Sequence, residues 1–122
     1  MWQMYNPNPC GRAVGDCAVR AVSLALGLDW EKAYLLLVSA AFAMCDMPSS
    51  NSVHGAVLRE HGFVRENLNE PITFGEFAKE HNRGTYVLGT GTHLATIING
   101  VLYDAWNSSN ELAEYVWYRK DD

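Results

Sequence analysis

Thr92-His93-Leu94-Ala95-Thr96-Ile97-Ile98-Asn99-Gly100-Val101-Leu102-Tyr103-Asp104-Ala105-Trp106 reads as two β-rich runs on either side of an Asn-Gly pair. Such a pair is the strongest short hairpin signal, because a two-residue type I′ turn needs positive φ at both central positions. With Asn99 and Gly100 as the turn, Ile98 faces Val101, Ala95 faces Asp104 and His93 faces Trp106. Side chains alternate between faces, so His93, Ala95, Asp104 and Trp106 point to one side. His93 and Asp104 are then diagonal neighbours across the hairpin, within reach of longer side chains. A one-residue slip would turn Asp104 to the other face, so the turn chemistry itself places an imidazole beside a carboxylate. Taken alone, the pair fits a surface His–Asp contact of little energetic worth as well as it fits a catalytic pair.

Other strands flank the hairpin. Thr85 to Leu88 is one, followed by Gly89-Thr90-Gly91, and Tyr115 to Tyr118 is the last. The first two-thirds of the chain is helical. Asp16 is positioned to cap a helix over Cys17 to Leu26 that closes at Gly27. That helix is apolar nearly all round, apart from Arg20 and Ser23, and is expected to run through the core with its first turn exposed. A second helix follows Asp29 and runs to about Met44, and a third spans about Ser52 to Glu60. A fourth opens on the capping box Thr73-Phe74-Gly75-Glu76 and ends near His81. Helices first and antiparallel strands second give an α+β fold in which a buried N-terminal helix packs on a small antiparallel sheet. At 122 residues with no linker or repeat, residues 1–122 form one domain.

The formal net charge of −5 gives no electrostatic footprint for nucleic acid. The pairs Arg12/Arg20 and Arg119/Lys120 are too thin to count as basic patches. The longest apolar candidate, Ala33 to Met44, is interrupted by Tyr34 and Ser39 and is too short to span a bilayer. The opening residues lack the basic segment and apolar run of a secretory signal. Three cysteines, Cys10, Cys17 and Cys45, argue against a full disulfide framework, although a Cys10–Cys45 bridge stays open. The expectation is a soluble protein of a reducing compartment such as the cytoplasm, with neither nucleic acid nor membrane as partner.

Cys10, Cys45, His54 and His61 match no zinc-ligand spacing, and no cofactor is called for. His54 and His61, seven residues apart, are read as part of a solvated helix face. Gly89-Thr90-Gly91 lacks the lysine and helix start of a phosphate loop and is read as a flexible strand beside a cleft. Cys17 stands apart from the other cysteines. It sits where free backbone N–H groups at a helix start favour an anion, which lowers a thiol's pKa. Gly15 just before it permits close approach of another backbone. The plain alternative is a small, inert core cysteine. A thiol at a helix start, a distant histidine and an acidic orienter together follow the logic of an activated nucleophile.

At this point the chain resembles a minimal papain-like cysteine peptidase, and is similar to small peptidase-like proteins of phages and prophages. The resemblance rests on Asn6-Pro7-Asn8-Pro9, Gly15-Asp16-Cys17-Ala18-Val19-Arg20-Ala21, Met47-Pro48-Ser49-Ser50-Asn51, the run Gly84 to His93, and Tyr103-Asp104-Ala105-Trp106. These segments span nearly the whole chain. The papain-like order is Cys on the central helix, His on a strand, then Asn or Asp on the next strand with Trp two residues on. Cys17, His93, Asp104 and Trp106 follow it. The resemblance implies a Cys17-His93-Asp104 triad, with Trp106 shielding the His–Asp contact from water. It also implies hydrolysis of peptide or isopeptide bonds, with a peptide or protein as substrate.

Two departures stand out. The family commonly places an oxyanion-donating Gln six residues before the Cys, and position 11 is Gly11. Asn8 is taken as the replacement, ahead of Asn6 and Gln3, with the Cys17 N–H as second donor. Asp16 beside the nucleophile would oppose the thiolate unless its carboxylate is engaged as the cap. Gly15 and Gly89 to Gly91 point to a narrow cleft that favours small residues beside the scissile bond. Two alternatives stay open: a binding module of the same fold acting on a host factor, and a thiol acyltransferase or amidase using the same triad.

Overall fold

The computed structural model describes residues 1–119. Lys120, of the Arg119/Lys120 pair, lies outside the described residues. Asn99 and Gly100 have φ of 49° and 80°, positive as a I′ turn requires. The register is the one this turn dictates: Ile98 pairs with Val101, Ile97 with Leu102 and Thr96 with Tyr103.

In chain order the elements are β1 (Trp2–Met4), α1 (Cys17–Leu26), α2 (Trp30–Met44), α3 (Asn51–Glu60), β2 (Phe63–Asn67), α4 (Phe74–Glu80), β3 (Thr85–Gly89), β4 (Leu94–Ile98), β5 (Val101–Asp104) and β6 (Tyr115–Arg119). The strands form one sheet in the order β1-β5-β4-β3-β6-β2. The fold is α+β, but the expected small antiparallel sheet needs correction: this sheet is mixed and six-stranded. β1 adds to β5 in parallel, and β2 adds to β6 in antiparallel fashion. Both additions are edge strands. β1 has only three residues, too few to show alternation. β2 begins on buried Phe63 and ends on exposed Arg65, Glu66 and Asn67, a polar composition suited to an edge.

Two apolar layers cover the sheet. On one side α1, α2 and α3 pack against Val87, Leu94, Tyr115 and Trp117. On the other, Phe74, Phe77 and Ala78 of α4 pack against Leu88, Ala95, Ile97, Leu102 and Val116. The alternation along β3, β4 and β6 assigns each side its residues. Seven of the ten α1 residues are buried, Arg20 and Ser23 included, while Cys17 at its start is half-buried. Gly27 closes α1 with φ 67°. Gly89 is required by packing: a Cβ there would lie 2.2 Å from Cζ of Tyr115, whose ring covers it.

Asp29 and Thr73 cap α2 and α4 as their sequences predict, and Thr73 and Glu76 complete both halves of the capping box. All three cysteines are free. The third helix departs from its expected solvated histidine face. His54 is 2 % exposed, because α3 buries a wide stripe of Val53, His54, Gly55, Val57 and Leu58. His61 caps the helix end and is exposed, so the two histidines occupy different environments. Among the described residues, no helix is long and apolar enough to cross a membrane.

Candidate active site

Cys17 is the first residue of α1, so its sulfur lies at the positive end of a buried helix. Its surroundings act in opposite directions. Burial alone would raise the thiol's pKa. The hydrogen bond to His93, the charge on His93, the backbone N–H of Leu94 and the charge of Arg20 outweigh burial and hold the pKa below its ordinary value.

His93 Nε2 lies 2.7 Å from Oδ2 of Asp104, which leaves Nδ1 as the ring nitrogen for the thiol. Burial alone would lower the imidazole's pKa, but hydrogen bonds to Asp104 and Cys17 and the charges of both raise it to about 9. Both shifts favour the thiolate–imidazolium form of the pair. His93 comes from the start of the hairpin and Cys17 from the start of α1. Phe74 from the α4 side stacks at 6.2 Å on His93. The two halves of the site therefore meet at the end of the sheet.

The backbone of His93 is fixed by the preceding loop. Thr90 Oγ1 accepts the N–H groups of Thr92 (3.1 Å) and His93 (3.0 Å), and the Thr90 N–H donates to the His93 carbonyl at 2.8 Å. Gly89 is the last residue of β3, as a strand reading expects, whereas Thr90 to His93 form a hydrogen-bonded turn that aims the imidazole, correcting the strand expected over Thr90 and Gly91. The sequence signal was present in the threonine two residues before Thr92, since Ser and Thr commonly bond backbone two residues on.

Asp104 is 0 % exposed. Its carboxylate accepts from four donors: His93 Nε2, the Ser108 hydroxyl, Arg20 and the N–H of Ala105. Burial would raise its pKa, yet the bonds from His93 and Ser108 and the charges of His93 and Arg20 hold it down. Its carbonyl accepts from the Tyr5 N–H at 2.8 Å and from Trp2 Nε1 at 3.3 Å, so the added edge strand β1 braces it.

Arg20 extends the array. It is 5 % exposed, with one nitrogen 2.7 Å from Oδ1 of Asp16 and the other 3.0 Å from Oδ1 of Asp104. Trp30 Nε1 donates to the remaining Asp16 oxygen at 2.9 Å. Asp16 occupies the N-cap position but makes no side-chain capping bond, which corrects the expected cap. Its carboxylate instead turns along the helix to Arg20, four residues on, and that pairing offsets its charge beside the thiolate. Opposite charges alternate along Asp16, Arg20 and Asp104, and Asp104 leads on to His93. The i,i+4 spacing of Asp16 and Arg20 was the legible signal for this network; Ser108 carried none.

The remaining candidates divide. Trp106 is 47 % exposed and lies 5.0 Å from His93 between ring centres, covering the imidazole from outside. The small cleft at Cys17, about 70 Å³, is lined by Cys17, Ala18, Ser49, Asn51, His54, Gly91, Thr92, His93 and Leu94. Asn8 is not among these residues. Its Oδ1 accepts the Cys10 N–H at 2.9 Å in a local turn. Gly15 does not line the cleft, and Gly89 lies beneath Tyr115, so Gly91 alone of these glycines borders it. A larger groove of about 700 Å³ lies on the α4 side and holds none of these reactive groups. Among the described residues, no group of three or more His, Cys, Asp or Glu side chains is arranged to hold a metal ion.

Comparison with known proteins found no matching family model, no matching curated protein and no matching solved structure.

Proposed function

We propose that the chain is a papain-like cysteine peptidase, of the phage and prophage kind its sequence resembles, which hydrolyses peptide or isopeptide bonds through Cys17, His93 and Asp104. One observation carries the reading. A thiol at the first position of a buried helix shares a small cleft with an imidazole whose Nε2 lies 2.7 Å from a fully buried carboxylate.

The chemistry follows from that arrangement. The Cys17 thiolate attacks the substrate carbonyl carbon, and the C=O electron pair moves onto oxygen. The tetrahedral species collapses as His93 gives its proton to the leaving amine, leaving an acyl group on sulfur. His93, now neutral, takes a proton from water, which attacks the thioester and releases the acid and the thiolate. Asp104 keeps the imidazole in the productive orientation and stabilises its protonated form throughout. The cleft is narrow at the sulfur, with Gly91 and Thr92 on one wall, which favours small residues beside the scissile bond.

The test is a library of peptides and lysine-linked isopeptides offered to the wild type and to Cys17→Ala, with intact-mass detection of acylated protein. The expected result is cleavage by the wild type alone, with an acyl group mapped to Cys17. Acylation mapped to Cys10 or Cys45, or equal cleavage by Cys17→Ala, would sink the assignment.

A further inference from the structure

Among the residues that line the cleft at Cys17, one carries a buried polar atom without a partner. His54 lines the same cleft as Cys17 and His93, is 2 % exposed, and its Nδ1 is enclosed with no hydrogen-bond partner among the described residues. Such groups are rare and call for a physical reason. Burial, with a smaller effect from the charge of Arg65, pushes this imidazole down to about 4, so the ring is neutral at working pH. A neutral ring carries one proton. With no acceptor at the enclosed Nδ1, that proton is better placed on Nε2, which is then free to donate.

Other candidates for a donor are weaker. Asn8 does not line the cleft. Asn51 and Ser49 are exposed, and the Asn51 amide is turned to the Gly91 carbonyl at 3.5 Å. We propose that His54 is the side-chain donor to the oxyanion, acting with the backbone N–H of Cys17; the proposal rests on the acyl-transfer reading above. As the sulfur–carbon bond forms, the oxygen gains the carbonyl electron pair and accepts both N–H groups. On collapse the pair returns to the C=O bond, and His54 keeps its proton throughout. A neutral imidazole serves well here, since a preorganised donor stabilises charge only as it develops.

A peptidyl aldehyde tests this, because the thiolate adds to it and leaves a hemithioacetal oxygen where the oxyanion forms. His54→Leu keeps the volume and removes the donor; His54→Gln keeps a donor. The expected result for His54→Leu is a loss of about a hundredfold in aldehyde affinity, with Cys17 alkylation by iodoacetamide within about threefold of wild type. His54→Gln is expected to retain affinity within about tenfold. Aldehyde affinity in His54→Leu within about threefold of wild type would overturn the proposal. If His54→Leu does not fold, His54→Met makes the same comparison. A wild type that alkylates at Cys17 but forms no hemithioacetal would instead sink the acyl-transfer reading, and the donor role with it.

Discussion

Asp104→Asn is expected to reduce turnover by about 10⁴-fold while leaving the backbone in place. The reason is the number of donors around this carboxylate. His93, Ser108, Arg20 and the Ala105 N–H all donate to it. An asparagine offers one oxygen and one NH₂ group. Arg20 and the Ala105 N–H cannot reverse their roles, so the amide oxygen turns to them. The Ser108 hydroxyl can rotate to accept. His93 Nε2 then faces an NH₂ group and must accept as well. Its single proton moves to Nδ1, the nitrogen facing Cys17, where the ring can no longer take a proton from the thiol. The thiolate–imidazolium pair is lost. Iodoacetamide labelling of Cys17 at pH 7 should fall by at least about tenfold, since thiolate is the reacting form. An unchanged labelling rate would show that Asp104 does not set the state of His93.

Arg20→Met is expected to lower unfolding stability by about 3–5 kcal/mol, the range for breaking a buried ion pair from one side. Methionine fills much of the same space, so packing is not the main loss. The loss comes from Asp16 and Asp104, two buried carboxylates deprived of the guanidinium that both share. The deficit has a pH signature. Arg20 is one of the charges that hold the Asp104 pKa down. Without it, the folded protein retains a proton on the carboxyl more readily, so the deficit shrinks as pH falls. Adding Asp16→Asn to Arg20→Met should recover part of the loss. Exposed Arg83→Met serves as control and should change stability by less than about 0.5 kcal/mol. Urea denaturation at several pH values measures all four proteins. A loss for Arg20→Met no larger than for Arg83→Met would contradict the network.

The hairpin was legible in sequence because two residues decide it. Asn99 and Gly100 set the turn, the turn sets the register, and the register puts Asp104 beside His93. The helix carrying Cys17 was legible for a similarly local reason, an apolar run closed by Gly27. What sequence reasoning missed depends on contacts between distant segments. β1 exists because Trp2 to Met4 find the open edge of β5, and three residues carry no period of their own. Arg20 reads as one polar residue in an apolar helix until Asp104, 84 positions away, is placed against it. His54 illustrates the same point in reverse. A histidine on a ten-residue helix suggests solvent, and only the packing of α3 against the rest of the core reveals an enclosed ring beside Cys17.

The most direct measurement is the pH dependence of iodoacetamide alkylation at Cys17, resolved from the exposed Cys10 and Cys45 by peptide mass mapping. The lowered thiol pKa and the imidazole raised to about 9 together favour thiolate beside protonated His93 below about pH 9. Turnover should fall as pH rises through about 9, when His93 loses the proton the leaving amine needs. The same deprotonation removes the stability that His93 contributes, which is fully present below the unfolded histidine value and is lost through about 9. Alkylation behaves differently, because the thiolate persists. The predicted result is an alkylation profile whose midpoint lies clearly below the value of about 8.5 for an ordinary thiol. A rate that keeps climbing about tenfold per pH unit up to about pH 8.5, as for a free thiol, would contradict the lowered thiol pKa and with it the pairing of Cys17 with His93.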